Sequence, residues 1–135
     1  MILKKFKNKK VLVTGHTGFK GSWLSLWLHL LGAKVYGISL KPKKESHFNY
    51  LKLNQKINSS YIDILDKKKF EKKILSIKPD YIFHLAAQSL VKKSYFHSRY
   101  TFETNSIGTL SILEALRKYN PKKICSVVIV TSDKS

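Results

Sequence analysis

Three glycines set the first chemical constraint. Gly15, Gly18 and Gly21 recur at every third position between a short β-branched run, Lys10 to Thr14, and an apolar segment that starts at Ser22. Between a strand and a helix, glycines at this spacing allow a tight turn, let the backbone approach a pyrophosphate and permit close helix–strand packing. The helix start adds unpaired N–H groups and the positive end of its dipole. Glycine-rich turns also occur without ligands, and the strand–turn–helix setting is what points to a dinucleotide here. At the far end, Thr131-Ser132-Asp133-Lys134 follow an apolar run. A hydroxyl, a carboxylate and an amine emerge together there, and ligands of open α/β sheets sit outside the carboxyl ends of the strands. A hydroxyl can position a sugar alcohol, and a carboxyl and an amine can transfer protons. The same tetrapeptide reads equally well as a polar turn.

Smaller groups surround these two. After the second apolar run, where an acidic residue usually holds the adenosine ribose, the chain has Ser39-Leu40-Lys41. Ser39 could bind a ribose hydroxyl, and Lys41, Lys43 or Lys44 could meet a 2′-phosphate, so these residues leave NAD and NADP both open. Asp63 and Ile64 could present a carboxylate and an apolar side chain to an adenine, or simply mark a helix entry. His84-Leu85-Ala86-Ala87-Gln88 closes a strand with small residues that leave room for a nucleotide. His84 itself reads first as a packed strand histidine. Asn105, inside a helical pattern, is expected to be buried and to hold a backbone carbonyl. No metal site is expected.

The elements that must position these groups alternate. Strands are expected at Lys10 to Thr14, Ala33 to Leu40, Ser60 to Ile64, Asp80 to Ala86 and Ile124 to Thr131. Helices are expected from Ser22 to Leu31 with Gly32 as C-cap, after Asp66 with Phe70, Ile74 and Ile77 inward, and from Thr101 to Tyr119. In the last, Phe102, Ile107, Leu110, Leu113 and Leu116 form the apolar stripe. Residues 41–60 read as loop with one helical turn. Strands alternating with helices make a parallel sheet covered on both faces, and the crossover rule gives a doubly wound α/β fold of order 3-2-1-4-5. The whole of 1–135 reads as one dinucleotide-binding domain. It is expected to be incomplete, since no covering helix follows the fifth strand.

Composition bounds the alternatives. The 135 residues carry 43% hydrophobic side chains, enough for one core, and 6 Gly, 3 Pro and 1 Cys exclude collagen-like and disulfide-rich classes. Cys125 reads as a buried strand thiol. The basic start leads into only three apolar residues before Thr14-Gly15, too short for a signal peptide, and Trp23 to Leu31 is about half a membrane span. A cytoplasmic protein is expected. The net charge of +18 comes from 24 Lys and only 2 Arg. Such a field attracts polyanions, but the scattered lysines and scarce arginine read as a biased, solvated surface rather than a specific nucleic-acid or membrane site.

Together, four stretches resemble the extended short-chain dehydrogenase/reductase family, in its nucleotide-sugar dehydratase and epimerase branch. They are V-T-G-H-T-G-F-K-G-S-W-L from Val13, F-H-L-A-A-Q-S-L-V-K-K-S-Y from Phe83, T-F-E-T-N-S-I-G-T from Thr101, and V-T-S-D-K from Val130. Within that branch the glycine stretch and T-S-D-K are most similar to the CDP-glucose 4,6-dehydratase group, whereas enzymes acting on dTDP-glucose carry Glu at the position of Lys134. The resemblance implies a Rossmann NAD-binding half of a redox-neutral hydro-lyase. Hydride leaves C4 of the glucose, water is eliminated across C5 and C6, and hydride returns to C6, giving CDP-4-keto-6-deoxyglucose.

It implies that Ser132 positions the C4 hydroxyl, Asp133 assists loss of the C6 hydroxyl and Lys134 lies near the C5 proton. Gly15, Gly18, Phe19, Lys20 and Gly21 would cradle the pyrophosphate. Asp63 and Ile64 would bracket the adenine, and Ala86, Ala87 and Gln88 would line the nucleotide. A homodimer of the full-length form, using the helix at 101–119, is implied as well. The family's Tyr-x-x-x-Lys pair follows the fifth strand, where this sequence has no Tyr followed four residues later by Lys, and the substrate-gripping domain has no counterpart in these 135 residues, so the chain alone is expected to be inactive. The competing readings are a related nucleotide-sugar dehydratase or 4-epimerase, and a catalytically silent dinucleotide-binding module.

Overall fold

The computed structural model describes residues 4–118 and 124–131. Five parallel strands, β1 (Lys10–Thr14), β2 (Lys34–Ser39), β3 (Asn58–Tyr61), β4 (Tyr81–His84) and β5 (Ser126–Ile129), form one sheet of order β3-β2-β1-β4-β5. This is the expected doubly wound order. β1 lies at its centre because its apolar residues suit burial on both faces. Along it the side chains alternate. Val11 and Val13 join Leu28, Val35, Phe48 and Leu53 in the core under helix α1 (Phe19–Leu30) and the short α2 (His47–Tyr50). Leu12 points the other way, into a core with Ile38, Phe70, Ile74, Ile82 and Ile112. That second core is roofed by α3 (Lys67–Ile77) and α6 (Gly108–Lys118).

Local signals explain the boundaries. The Asp66 carboxylate accepts the Lys69 N–H at the start of α3, and Lys78, in a left-handed conformation at φ 53°, ends it before Pro79. Phe70, Ile74 and Ile77 are its buried residues, as the spacing predicts. Helix α1 starts three residues earlier than expected, because Gly18 is extended and acts as the N-cap itself. Residues 41–60 hold more order than a loop, with α2 and a 3-10 turn at Leu53–Gln55 anchored by buried Phe48 and Leu53. β3 is the polar segment Asn58–Tyr61, paired to Tyr36 through Ser39. The apolar signal at Ile62 and Ile64 belongs instead to residues that dive into the core after the strand ends.

The last helical region differs most from expectation. It comprises α4 (Val91–Phe96), which the sequence pattern does not reveal, then α5 (Ser98–Phe102), a π-helical turn at Glu103–Ile107, and α6. Its buried residues are Thr104, Gly108, Ser111, Ile112 and Ala115, while Phe102, Ile107, Leu110 and Leu113 of the expected inward stripe are exposed. Small residues let the helix lie close to the sheet. A methyl group on Gly108 would overlap the end of Ile64. Cys125 is only partly buried, since β5 has one hydrogen-bonded neighbour, β4, among the described residues.

Two neighbours on α6 test this assignment of faces. Ile112 is fully buried and Leu113 is 48% exposed. Ile112→Ala should cost about 2–5 kcal/mol in urea unfolding, as for other aliphatic core truncations. Leu113→Ala should cost less than about 1 kcal/mol. Equal losses would mean that the faces are reversed.

Candidate functional site

The carboxyl ends of β1, β2 and β4 converge on the glycine turn. Gly15 has φ +73° and donates its N–H to the Ile38 carbonyl at 2.8 Å, so the turn hangs from β2 as it leaves β1. A methyl group at Gly15 would lie 2.8 Å from the Ala86 nitrogen, and one at Gly21 would overlap the Gly15 carbonyl oxygen. Both positions therefore require glycine. Ser22 pins the turn from inside, its Oγ donating to the Gly18 carbonyl at 2.7 Å. No side chain caps α1, and its first turn holds no acidic residue. The helix's leading N–H groups are thus left to an external acceptor, and a phosphate fits that need. Phe19 and Lys20 are exposed on this first turn, with Phe19 edge-on to His47 at 5.1 Å.

At the end of β2, Ser39 is buried and its Oγ lies 2.7 Å from the Thr17 Oγ1. Thr17 gives its single proton to the Leu40 carbonyl at 3.1 Å, so Ser39 must be the donor between the two hydroxyls. That leaves lone pairs of Ser39 as acceptors, the property a ribose hydroxyl seeks from the acidic residue usual at this place. Thr17 was not singled out by its spacing. Its signal lies only in its place inside the glycine turn.

Past β3, the Asp63 Oδ1 accepts the Leu65 N–H at 2.9 Å, closing a turn. Ile64 does not offer its side chain as expected, because it is buried beneath Gly108 in the core. After β4, Ala86 is partly buried and Ala87 exposed, leaving an open wall. Gln88 is tied down within its own loop. Its side chain binds the Leu90 N–H and carbonyl and the Thr101 hydroxyl. Asn105 is exposed rather than buried, yet it performs the expected holding role. Its Oδ1 accepts from the Gln88 N–H at 2.8 Å and its Nδ2 donates to the Gln88 carbonyl at 3.2 Å. The π turn is what aims this side chain at the loop. Ser132, Asp133 and Lys134 lie outside the described residues. Among the described residues no group of His, Cys and acidic side chains could hold a metal.

Two histidines are buried at the floor. His16 packs against Gly37 and edge-on to Phe48, with Nε2 3.1 Å from the Ser59 hydroxyl. His84 contacts Thr14 through Nδ1 at 2.6 Å and Thr109 through Nε2 at 3.1 Å. Burial pushes both down from 6.5 to about 4, the Ile38 backbone opposing the shift at His16. Both are neutral at pH 7.

Comparison with known proteins places this geometry. The family model described as GDP-mannose 4,6 dehydratase matches residues 12–135, and the chain belongs to that family of nucleotide-sugar dehydratases. A CDP-glucose 4,6-dehydratase of Salmonella typhimurium is 46% identical over 136 residues, covering 99% of this chain and 37% of the relative. An epimerase from Methanothermobacter thermautotrophicus superposes with a TM-score of 0.79 at 28% identity, covering 97% of this chain and 37% of its own. The UDP-glucose 4-epimerase of Thermus thermophilus, solved in complex with NAD, has a TM-score of 0.71 at 32% identity over 82% of this chain and 34% of its own. The chain spans about a third of the length of the curated relatives it matches.

The two histidines predict a direction for acid sensitivity. Because the native state holds both pKa values below those of the unfolded chain, the unfolded chain takes up protons first as pH falls. Their contribution is complete above pH 6.5 and is lost as pH drops towards 4. It amounts to at most about 3 kcal/mol per histidine. Urea unfolding at pH 7 and pH 4.5 should show this loss, reduced in His84→Asn. A flat profile over that range would contradict the burial of both rings.

Proposed function

We propose that this chain is the cofactor-binding part of an NAD-dependent CDP-glucose 4,6-dehydratase, a cytoplasmic hydro-lyase that converts CDP-glucose to CDP-4-keto-6-deoxyglucose. The observation that carries the reading is the uncapped start of α1 behind a turn where Gly15 and Gly21 admit no side chain. The 46% identity to a CDP-glucose 4,6-dehydratase supports the substrate. No helix among the described residues is long and apolar enough to cross a membrane.

In this reading Gly15, Gly18, Phe19, Lys20 and Gly21 hold the pyrophosphate, chiefly through main-chain N–H groups. Ser39 accepts from a ribose hydroxyl, Asp63 and the Ile64 main chain flank the adenine, and Ala86, Ala87 and Gln88 line the nucleotide. Asn105 keeps the Gln88 main chain in place. Bound NAD supplies a reversible hydride acceptor for the sugar. Ser132 orients the C4 hydroxyl, Asp133 donates a proton to the departing C6 hydroxyl, and Lys134 stands by the C5 proton. The exposed apolar residues Phe102, Ile107, Leu110 and Leu113 suit one half of a homodimer surface. The lysine-rich surface attracts an anionic nucleotide sugar and reads no nucleic-acid sequence.

Calorimetric titration of the chain with NAD tests the cofactor, and turnover of CDP-glucose, GDP-mannose and dTDP-glucose by a protein that contains the chain tests the substrate. NAD should bind, Gly21→Ala should abolish binding, and CDP-glucose should be used at least tenfold faster than the others. A folded chain indifferent to NAD would remove the reading. A preference for another sugar nucleotide would keep the cofactor assignment and move the substrate.

A further inference from the structure

His84 hydrogen-bonds both to β1 and to the helix behind the cleft, and its neighbours dictate how its proton is arranged. The Ala86 N–H, which can only donate, lies 3.2 Å from the Thr14 Oγ1. The Thr14 hydroxyl lies 2.6 Å from the His84 Nδ1. The His84 Nε2 lies 3.1 Å from the Thr109 Oγ1, and the Thr109 hydroxyl lies 2.8 Å from the Asn105 carbonyl, which can only accept. Thr109 has one proton, and the Asn105 carbonyl takes it. Nε2 must therefore carry the His84 proton, and Nδ1 is left to accept the proton of Thr14. Every bond points the same way, from the loop after β4, through β1 and the ring, to the π turn.

The ends of this path matter. Thr14 precedes Gly15, whose backbone abuts Ala86, and Asn105 grips both main-chain groups of Gln88. The path therefore ties the glycine turn, the loop 86–88 and the π turn to a single ring. We infer that His84, in its Nε2–H form, is a positioning residue that fixes the spacing between the glycine turn and the Gln88–Asn105 clamp, and so sets how well the cleft holds its dinucleotide. The inference rests on the cofactor reading above but concerns a residue that touches no cofactor. Burial, which holds the ring neutral at pH 7, keeps the path intact.

Thr109 offers a clean cut, because it is half-buried at the far side of the ring. Thr109→Val removes only the hydroxyl, and Thr109→Ser restores it. The expected result is NAD binding weakened about tenfold in the valine variant and within about twofold of the parent in the serine variant, with unfolding midpoints alike; a tenfold loss is the scale of one net hydrogen bond. Nitrogen-15 NMR of the histidine ring should show a slowly exchanging Nε2–H in the parent and serine chains and fast exchange in the valine chain. Thr14→Val against Thr14→Ser must reproduce the pattern from the other end of the path. An Nδ1–H ring, or unchanged NAD affinity in both valine variants, would overturn the inference. If the parent chain binds no NAD, the cofactor reading falls, and His84 is then judged on the ring signal and on amide exchange at Ala86 and Gln88. Those amides should exchange about tenfold faster in Thr109→Val than in Thr109→Ser, and equal rates would overturn the positioning role.

Discussion

The contact on which this structure turns is the near-collision of main chains at the end of β1. Gly15 lies against the Leu85–Ala86 backbone, and Gly21 lies against the Gly15 carbonyl. No side chain fits at either place. Because the main chains of these three segments come into direct contact, the first turn of α1 is brought over the sheet with its N–H groups uncapped. The same contact brings the loop after β4 to the edge of that turn. Cleft, helix start and loop are one packing solution, and a change at either glycine would move all three together.

A similar economy of side-chain volume governs the opposite face. Helix α6 reaches the sheet through Gly108, Ser111, Ile112 and Ala115, and turns Leu110 and Leu113 outward. The close approach is what brings Thr109 within reach of His84 and Asn105 within reach of Gln88. With bulky residues facing inward, the helix would stand further off and both bonds would open. The π turn adds one residue per turn just where Asn105 must rotate towards the loop, consistent with such turns marking functional positions.

The strand order, the glycine turn and α3 were legible because each rests on a local signal: β-branched runs, glycine spacing, an Asp cap and an i, i+4, i+7 face. The inward face of α6 was not, because the helix is apolar on two sides. Hydrophobic spacing marks both sides without saying which one meets the sheet. Ile64 misled for a related reason. An apolar residue beside a candidate ligand contact reads as part of that contact, whereas its side chain fills the space opened by Gly108, 44 positions later in the chain. Thr14, Thr17 and Thr109 carried no motif of their own. Their roles arise from bonds to residues brought together only by the fold, as with Thr14 and His84, 70 positions apart.

The hydroxyl-rich floor has a physical rationale. A ligand with two phosphates brings its own charge, and carboxylates facing it would repel it, while buried ammonium groups would carry a desolvation penalty. Thr14, Thr17, Ser22, Ser39 and Thr109 order the backbone without adding charge, and both floor histidines are kept neutral by burial. Within Gly15 to Gly21 the one formally charged residue is Lys20, which stays in solvent on the first turn of α1. The positive potential that greets an anion then comes from the helix start and the lysine-covered surface, while the floor supplies direction alone. A neutral hydroxyl has one proton to give, so once the two ends of a path are a fixed donor and a fixed acceptor, every proton between them is ordered. Such a floor is rigid in orientation at no cost in buried charge, which is what a site must be if it is to hold a dinucleotide in one pose.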